Sequence, residues 1–305
     1  GMGHDHAHGT GVKHRRRLAI VLALSVSVLL VEAVVAALTG SLALLADAGH
    51  MLGDSVGIAM ALAAITAAQR GGSPGSRRTF GYHRTEVLAA GLNGLVLLVL
   101  AGFVGWHAVG RLSSSVELAA TPILLAGGVG LVANVIGLFL LREGAAESLN
   151  VRGAYLEVLG DALGSVAVLV SATVIALTDW MQADAIASLA IAALIVPRAL
   201  SLLRDVAEVL LESTPRDVDL VELRSHIMGM EGVLDVHDLH VWTITSGMPV
   251  MSAHVVVDES VSLMGDAHAV LDRLRDCLAD HFDVEHSTFQ IEPAGHEDSE
   301  QQVHH

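Results

Sequence analysis

The stretch Gly40-Ser41-Leu42-Ala43-Leu44-Leu45-Ala46-Asp47-Ala48-Gly49-His50-Met51-Leu52-Gly53-Asp54-Ser55-Val56-Gly57 decides how this chain is read. It lies inside an apolar run, near 42–68, that is long enough to cross a bilayer. A core of ~30 Å needs about 20 helical residues. Yet the run holds two carboxylates and an imidazole. A charged group at the bilayer centre costs at least about 2.5 kcal/mol, so ionisable residues there usually mark an ion pathway. His50 and Asp54 stand four residues apart, which puts them on one helix face.

A second run repeats the pattern. Glu157-Val158-Leu159-Gly160-Asp161-Ala162-Leu163-Gly164 shares ligand-x-Leu-Gly-Asp-x-x-Gly with the segment from His50 to Gly57. Two spans lie between the two helices, so they run in opposite directions, as inverted repeats in transporters do. With a rise of ~1.5 Å per residue, His50 lies about 15 Å from the outer face and Asp161 about 13.5 Å from the inner one. The two pairs can therefore meet. One imidazole and three carboxylates make four ligands, the number a tetrahedral zinc site needs. Asp47 and Glu32 read as carboxylates that hydrogen-bond between helices, as do Asn93 and Asn134 among the amides.

Six apolar runs reach spanning length, near 17–39, 42–68, 86–110, 118–141, 154–178 and 183–203. Small residues at close spacing (Gly53/Gly57, Gly160/Gly164, Gly91 near Gly94) let helix backbones approach within lipid. Lys13, Arg15, Arg16 and Arg17 precede the first run, and Arg70, Arg77, Arg78, Arg84, Arg142 and Arg152 fall in loops on the same side. Only Arg111 occupies the opposite loops. The positive-inside rule then places both termini in the cytoplasm. Trp106 and Trp180 fit interfacial anchors near span ends.

Of the 305 residues, 52% are hydrophobic and 16% charged, with mean hydropathy +0.58. Residues 1–203 carry 12 acidic and 12 basic side chains, whereas 204–305 carry 21 acidic and 5 basic. An apolar neutral body thus precedes an acidic, water-soluble part. That balance disfavours nucleic acid as a partner and favours cations. A single cysteine, Cys277, excludes a disulfide framework and any Cys-rich zinc site; its setting reads as a packed helical thiol. The His-rich, then basic, beginning does not read as a secretory signal, and Gly1-Met2 reads as a cloning remnant.

After Pro215 the pattern is helix (217–230), strand (233–244), strand (249–257), helix (264–282) and strand (285–292), a small α+β sandwich. Ser-Gly-Met-Pro between the first two strands signals a hairpin. The expected organisation is a His-rich leader over 1–16, a six-helix transmembrane domain over 17–203, a cytoplasmic metal-binding and dimerisation domain over 204–292, and a disordered tail over 293–305.

The chain resembles the cation diffusion facilitator family over nearly its whole length. The resemblance rests on Gly40–Asp54 and on Thr79-Phe80-Gly81-Tyr82-His83-Arg84-Thr85-Glu86. It rests equally on Ala154–Ser165, Val236-His237-Asp238-Leu239-His240-Val241-Trp242, Ser252-Ala253-His254 and His286–Glu292. It implies homodimeric metal/proton antiporters with six spans and a cytoplasmic ferredoxin-like, metallochaperone-like domain, while short loops and an Ala/Val/Gly/Arg-rich composition suggest a bacterial inner (plasma) membrane. It also implies a transport site at His50, Asp54, Glu157 and Asp161. Zinc members usually carry His where this chain has Glu157. The extra carboxylate hardens the site, so zinc stands first while cadmium, cobalt, manganese and iron are less excluded. Protons and metal compete for such groups, because ligands must lose protons to bind metal. This turns a metal cage into an antiport site.

In zinc members, positions matching His237, His254 and Glu292 contribute to metal sites that tighten the dimer, and His240, His268, His286 and Asp258 can join them. His83 matches a loop where some members bind additional zinc, and His4, His6, His8 and His14 resemble a metal-collecting leader. Two other classes compete with a transporter. An intramembrane metal-dependent hydrolase lacks His-Glu-x-x-His and a spare general base. A membrane-tethered metal sensor explains the soluble-part histidines but leaves the paired intramembrane carboxylates without a role.

Overall fold

In the computed structural model, residues 7–68, 79–114, 116–143, 149–245, 247–258, 268–275 and 286–294 are described, with side chains described outside 7–18, 57–68 and 149–153. The side chains of the leader histidines, Arg70, Arg77, Arg78, Cys277, the ends of the second soluble helix and the tail beyond 294 lie outside these residues. The chain divides into two compact units, one of residues 1–66 with 89–203 and one of 67–88 with 204–305.

The first unit is helical throughout. Its elements are α1 (Ala7–Thr39), α2 (Leu42–Ala68), α3 (Arg84–Leu112), α4 (Ala120–Leu141), α5 (Leu149–Thr178) and α6 (Gln182–Leu210), of which α3 and α6 run on into the second unit. Among the described residues, five helices are long and apolar enough to cross a membrane: Ala19–Thr39, Arg84–Leu112, Ala120–Leu141, Ala154–Thr178 and Gln182–Leu210. Of α2, side chains are described over 42–56, and these include Asp47, His50 and Asp54. Outward faces are apolar, with Leu30, Val34, Leu92, Val99, Leu125 and Phe139 all exposed. A soluble protein would hide such side chains; a lipid-facing bundle displays them.

Glycine lets the helices close on one another. Cβ atoms at Gly53 and Gly94 would press into Leu97 and Leu203, so α2 seats against α3 and α3 against α6. Gly127 and Gly137 of α4 do the same against Val168 and Val158 of α5. Asn93 Nδ2 donates to Gly53 O at 3.0 Å, the interhelical bond expected of it.

The turn from α1 to α2 fixes where α2 begins. Gly40 takes φ +73°, a left-handed conformation that glycine adopts freely. Asp184, 1% exposed at the start of α6, then caps α2. Its carboxylate accepts from Ser41 Oγ at 2.5 Å, Leu42 N at 2.8 Å and Ala43 N at 3.3 Å. Arg111 donates to Gly40 O at 2.6 Å and lies 3.8 Å from Asp184. A carboxylate at a helix N-terminus satisfies orphan amide donors and opposes the positive end of the dipole.

In the second unit, α7 (Leu220–Met228) precedes β1 (Val233–Thr243) and β2 (Pro249–Val257), residues 268–275 are helical, and β3 (His286–Pro293) follows. Asp219 caps α7 by accepting from Val221 N and Glu222 N. The sheet order is β1-β2-β3, with β1 and β2 antiparallel and β2 and β3 parallel. Strand side chains alternate between faces, and here alternation sorts them by polarity. Met251, Ala253, Val255 and Val257 pack with Leu223 and Ile227 of α7 and with Val270 and Leu274. His254, on the opposite parity, points away from the helices, as do Gln290 and Glu292 on β3.

Candidate metal centres

The first centre is built on α2 and α5. His50 and Asp54 sit one turn apart on α2, with Nε2 3.9 Å from Oδ2. Asp161 of α5 reaches the same ring, its Oδ1 3.7 Å from His50 Nε2. One ligand atom from each of His50, Asp54 and Asp161 falls within 4.8 Å of the other two. The two residues that α2 contributes thus face a residue more than a hundred positions away. Gly160 of α5 faces the His50 ring, and a Cβ there would stand in ordinary contact, 3.7 Å from Nε2. Among the described residues, Asp161 Oδ1 is buried without a hydrogen-bond donor.

Glu157 stands outside this close group and joins it through a residue that the sequence reading missed. Arg198 of α6 lies 2.9 Å from Asp54 Oδ1 and 3.2 Å from Glu157 Oε1, and its Nη1 lies 3.4 Å from His50 Nε2. The guanidinium therefore bridges the two carboxylates on the flank where Glu157 replaces histidine. Pro197 directly precedes it and removes one amide from the α6 ladder. The signal was available: Arg198 is the one basic residue inside the sixth apolar run, and the rule applied to buried acids applies equally to a buried base. Asp184 was missed in the same way, and its role is the helix cap above.

The second centre lies on the polar face of the sheet. His237 and His254 are directly opposite across β1 and β2, with ring centroids 4.9 Å apart. Glu292, 1% exposed, meets both: its Oε2 is 3.2 Å from His237 Nε2 and its Oε1 2.8 Å from His254 Nδ1. Gln290 Nε2 adds a bond to Oε1 at 2.8 Å. A metal-sized group results, with all three ligand atoms within 4.8 Å of one another. Two imidazoles and a carboxylate suit zinc. The register shifts between His237 and His240, where Asp238 takes φ +48°, so β1 carries an extra residue there. Such a bulge re-aims side chains, and His240 ends opposite Ser252, outside the group.

The remaining expected ligands are dispersed. His268 pairs with Asp272 at 3.6 Å in the exposed part of its helix. His286 begins β3 opposite Val250. His83 occupies the turn that leads into α3. Among the described residues, none of the three belongs to a group of ligand atoms.

An apolar helical body with buried ionisable residues facing one another defines a multi-pass membrane protein that handles cations. The chain belongs to the cation efflux family, whose members carry divalent metal ions and are not enzymes. Residues 18–211 match the cation efflux transmembrane domain, and residues 215–294 match the cation efflux protein cytoplasmic domain. Over 276 residues the chain is 42% identical to the metal cation efflux system protein CzcD of Cupriavidus metallidurans, covering 90% of this chain and 86% of that one. It is 37% identical over 270 residues to the cadmium, cobalt and zinc/H(+)-K(+) antiporter of Bacillus subtilis, covering 88% and 86%. It is 39% identical over 266 residues to the zinc transporter ZitB of Escherichia coli, covering 87% and 83%. Among solved structures, the metal-bound C-terminal domain of the Cupriavidus CzcD transporter is 43% identical, covering 25% of this chain and 99% of that one, at a TM-score of 0.23.

Proposed function

We propose that the chain exports Zn2+ from the cytoplasm in exchange for protons, with His50, Asp54, Glu157 and Asp161 as the transport site. The observation that carries this reading is the His50–Asp54–Asp161 group, assembled from two helices in an apolar body around a buried oxygen, Asp161 Oδ1, that lacks a donor among the described residues. Zinc accepts imidazole nitrogen and carboxylate oxygen alike. Names of relatives support the choice of ion, since ZitB is a zinc transporter and the Bacillus relative's name includes zinc. Cd2+, Co2+, Mn2+ or Fe2+ is the alternative cargo, favoured to the degree that Glu157 hardens the site.

In this reading α2 is the sixth span. Its 27 residues give about 40 Å of helix, ample for a ~30 Å core. Both termini lie in the cytoplasm of a cell whose inner membrane the bundle crosses. Arg198 stands in for cargo when the site is empty, its single charge spread over Asp54 and Glu157. An arriving dication displaces it and draws the four ligands together. On the outer side, protons take the carboxylates and the metal leaves, because bound protons and bound metal exclude one another.

The soluble unit is the ferredoxin-like regulatory half, built in the order α-β-β-α-β. A second zinc there is held by His237, His254 and Glu292 and draws two acidic protomers into a tighter homodimer. Metal flux into proteoliposomes containing the full chain tests the whole reading. Zinc should accumulate against its gradient when an opposing proton gradient is imposed, and Asp161→Ala should reduce that uptake to background. Uptake that persists in Asp161→Ala would move the transport path elsewhere.

A further inference from the structure

A second polar group lies about one helical turn from the transport ligands, where α1, α2, α4 and α5 meet. Glu32 of α1 and Asp47 of α2 are each 0% exposed. Among the described residues, neither oxygen of Glu32 nor Oδ1 of Asp47 has a hydrogen-bond partner. Asp47 Oδ2 accepts one long bond, 3.4 Å, from Ser165 Oγ, which itself accepts from Asn134 Nδ2 at 3.4 Å. Glycine makes room for the group. A Cβ at Gly130 would lie 2.5 Å from Glu32 Oε1 and 3.1 Å from Ser165 Oγ, so both oxygens look onto the same glycine. A Cβ at Gly164 would overlap the Asp47 carboxylate.

The sequence expectation for Glu32 and Asp47 was a bond between helices. Asp47 makes one such bond, the long one from Ser165 of α5, whereas among the described residues Glu32 makes none. An ionised carboxylate with no donor in an apolar interior is disfavoured by several kcal/mol unless a cation sits on it. The charges facing Glu32 are Asp47 on α2 and Asp161 on α5, with His50 one turn further along α2. From α4 comes Asn134, which is neutral. Among the described residues, no lysine or arginine faces the pair, in contrast to Arg198 at the transport site. Among the described residues, neither carboxylate is hydrogen-bonded or ion-paired to a transport ligand.

We propose that Glu32 and Asp47 seat one further proton of the exchange, at a place apart from the metal ligands and in addition to the protons those ligands take. This rests on the exchange reading above and assigns that proton to particular atoms. The proton arrives from outside onto a carboxylate oxygen of the pair, is shared between Glu32 and Asp47, and leaves from the same oxygens on the cytoplasmic side. Coupling follows from connectivity. Ser165 follows Asp161 by one turn of α5, and Asp47 precedes His50 by about one turn of α2, so a shift of either helix that opens the metal site also reshapes the proton seat.

The test uses the full chain in proteoliposomes with an internal pH dye and an internal zinc dye. For Glu32→Gln, which keeps shape but carries no titrating proton, zinc affinity should stay within about threefold. Proton-driven accumulation should fall about tenfold or more, with fewer protons moved per zinc. Glu32→Asp should restore coupling, and Asp47→Asn should reproduce the loss. Unchanged protons per zinc in Glu32→Gln would overturn the proposal. So would loss of zinc affinity that Glu32→Asp fails to restore, since that marks a structural role. If Glu32→Gln silences accumulation driven by a potassium or sodium gradient but spares that driven by protons, an alkali ion takes the seat and the proton assignment falls. If the unaltered chain shows no proton-driven accumulation, the exchange reading itself fails, an outcome distinct from all of these.

Discussion

Replacing Arg198 by alanine should tighten metal binding, although it removes a residue that lines the transport site. Arg198 is held by Asp54 at 2.9 Å and Glu157 at 3.2 Å, and a dication can use those oxygens only after the guanidinium leaves. The arginine is 40% exposed, so each contact is discounted for solvent to about 0.5–1 kcal/mol. Two contacts then oppose metal binding by about 1–2 kcal/mol, and since about 1.4 kcal/mol is a factor of ten, affinity should rise about 5- to 30-fold. Transport should slow over the same comparison, because a metal held more tightly leaves more slowly. The measurement is competition with a chromophoric zinc chelator on the full chain in nanodiscs. A His237→Ala, His254→Ala background keeps the sheet centre from contributing. Glu157→His removes one of the two pairs, so adding Arg198→Ala to it should gain only about two- to fivefold. Arg198→Lys, a point charge without the bridging fork, should fall between alanine and arginine. Affinity that is unchanged or weaker in Arg198→Ala would refute the view that the guanidinium competes with the cargo.

Three further outcomes follow. Glu157→His should shift preference toward zinc over manganese by about tenfold in flux competition, because imidazole suits zinc and carboxylate suits harder ions. Asp184→Ala strips three donors at the start of α2 of their acceptor. It should lower thermal stability in detergent by the equivalent of about 1–3 kcal/mol, while Asp184→Asn loses less. His237→Ala or Glu292→Gln should abolish zinc-dependent tightening of the dimer, read by energy transfer between labelled protomers. Zinc flux through an already formed dimer should persist.

Much of this protein could be read from its residues. Spanning helices follow from hydrophobic run length, since a bilayer leaves backbone groups few choices other than a helix. Ion handling follows from Asp54 and Asp161, because charges in lipid are too costly to keep without use. The strand alternation that places His254 opposite to Met251 and Val255 was equally legible, as period two is a local property. Long-range partnership was not. That Arg198 lies against Asp54 and Glu157 depends on how α6 leans on α2 and α5, which Gly94 and Leu203 help to set through α3. A single extra residue near Asp238, visible only once both strands are paired, turns His240 onto the face of His254, but opposite Ser252, two residues along the strand and outside the group. Glu32 looked like a helix-to-helix hydrogen bond, and only the packed bundle withholds its donors.

Residue chemistry and spacing thus determined by themselves that this chain crosses a membrane and handles cations, and they put forward His50, Asp54, Glu157 and Asp161 as the proposed ligands. Tertiary structure alone decided which of those atoms converge, that an arginine occupies their flank, and that two further acids stand nearby with one long donor between them among the described residues. The reason is physical: burial and helical period are set within a few residues, whereas electrostatic pairing is set by side chains brought together from different helices.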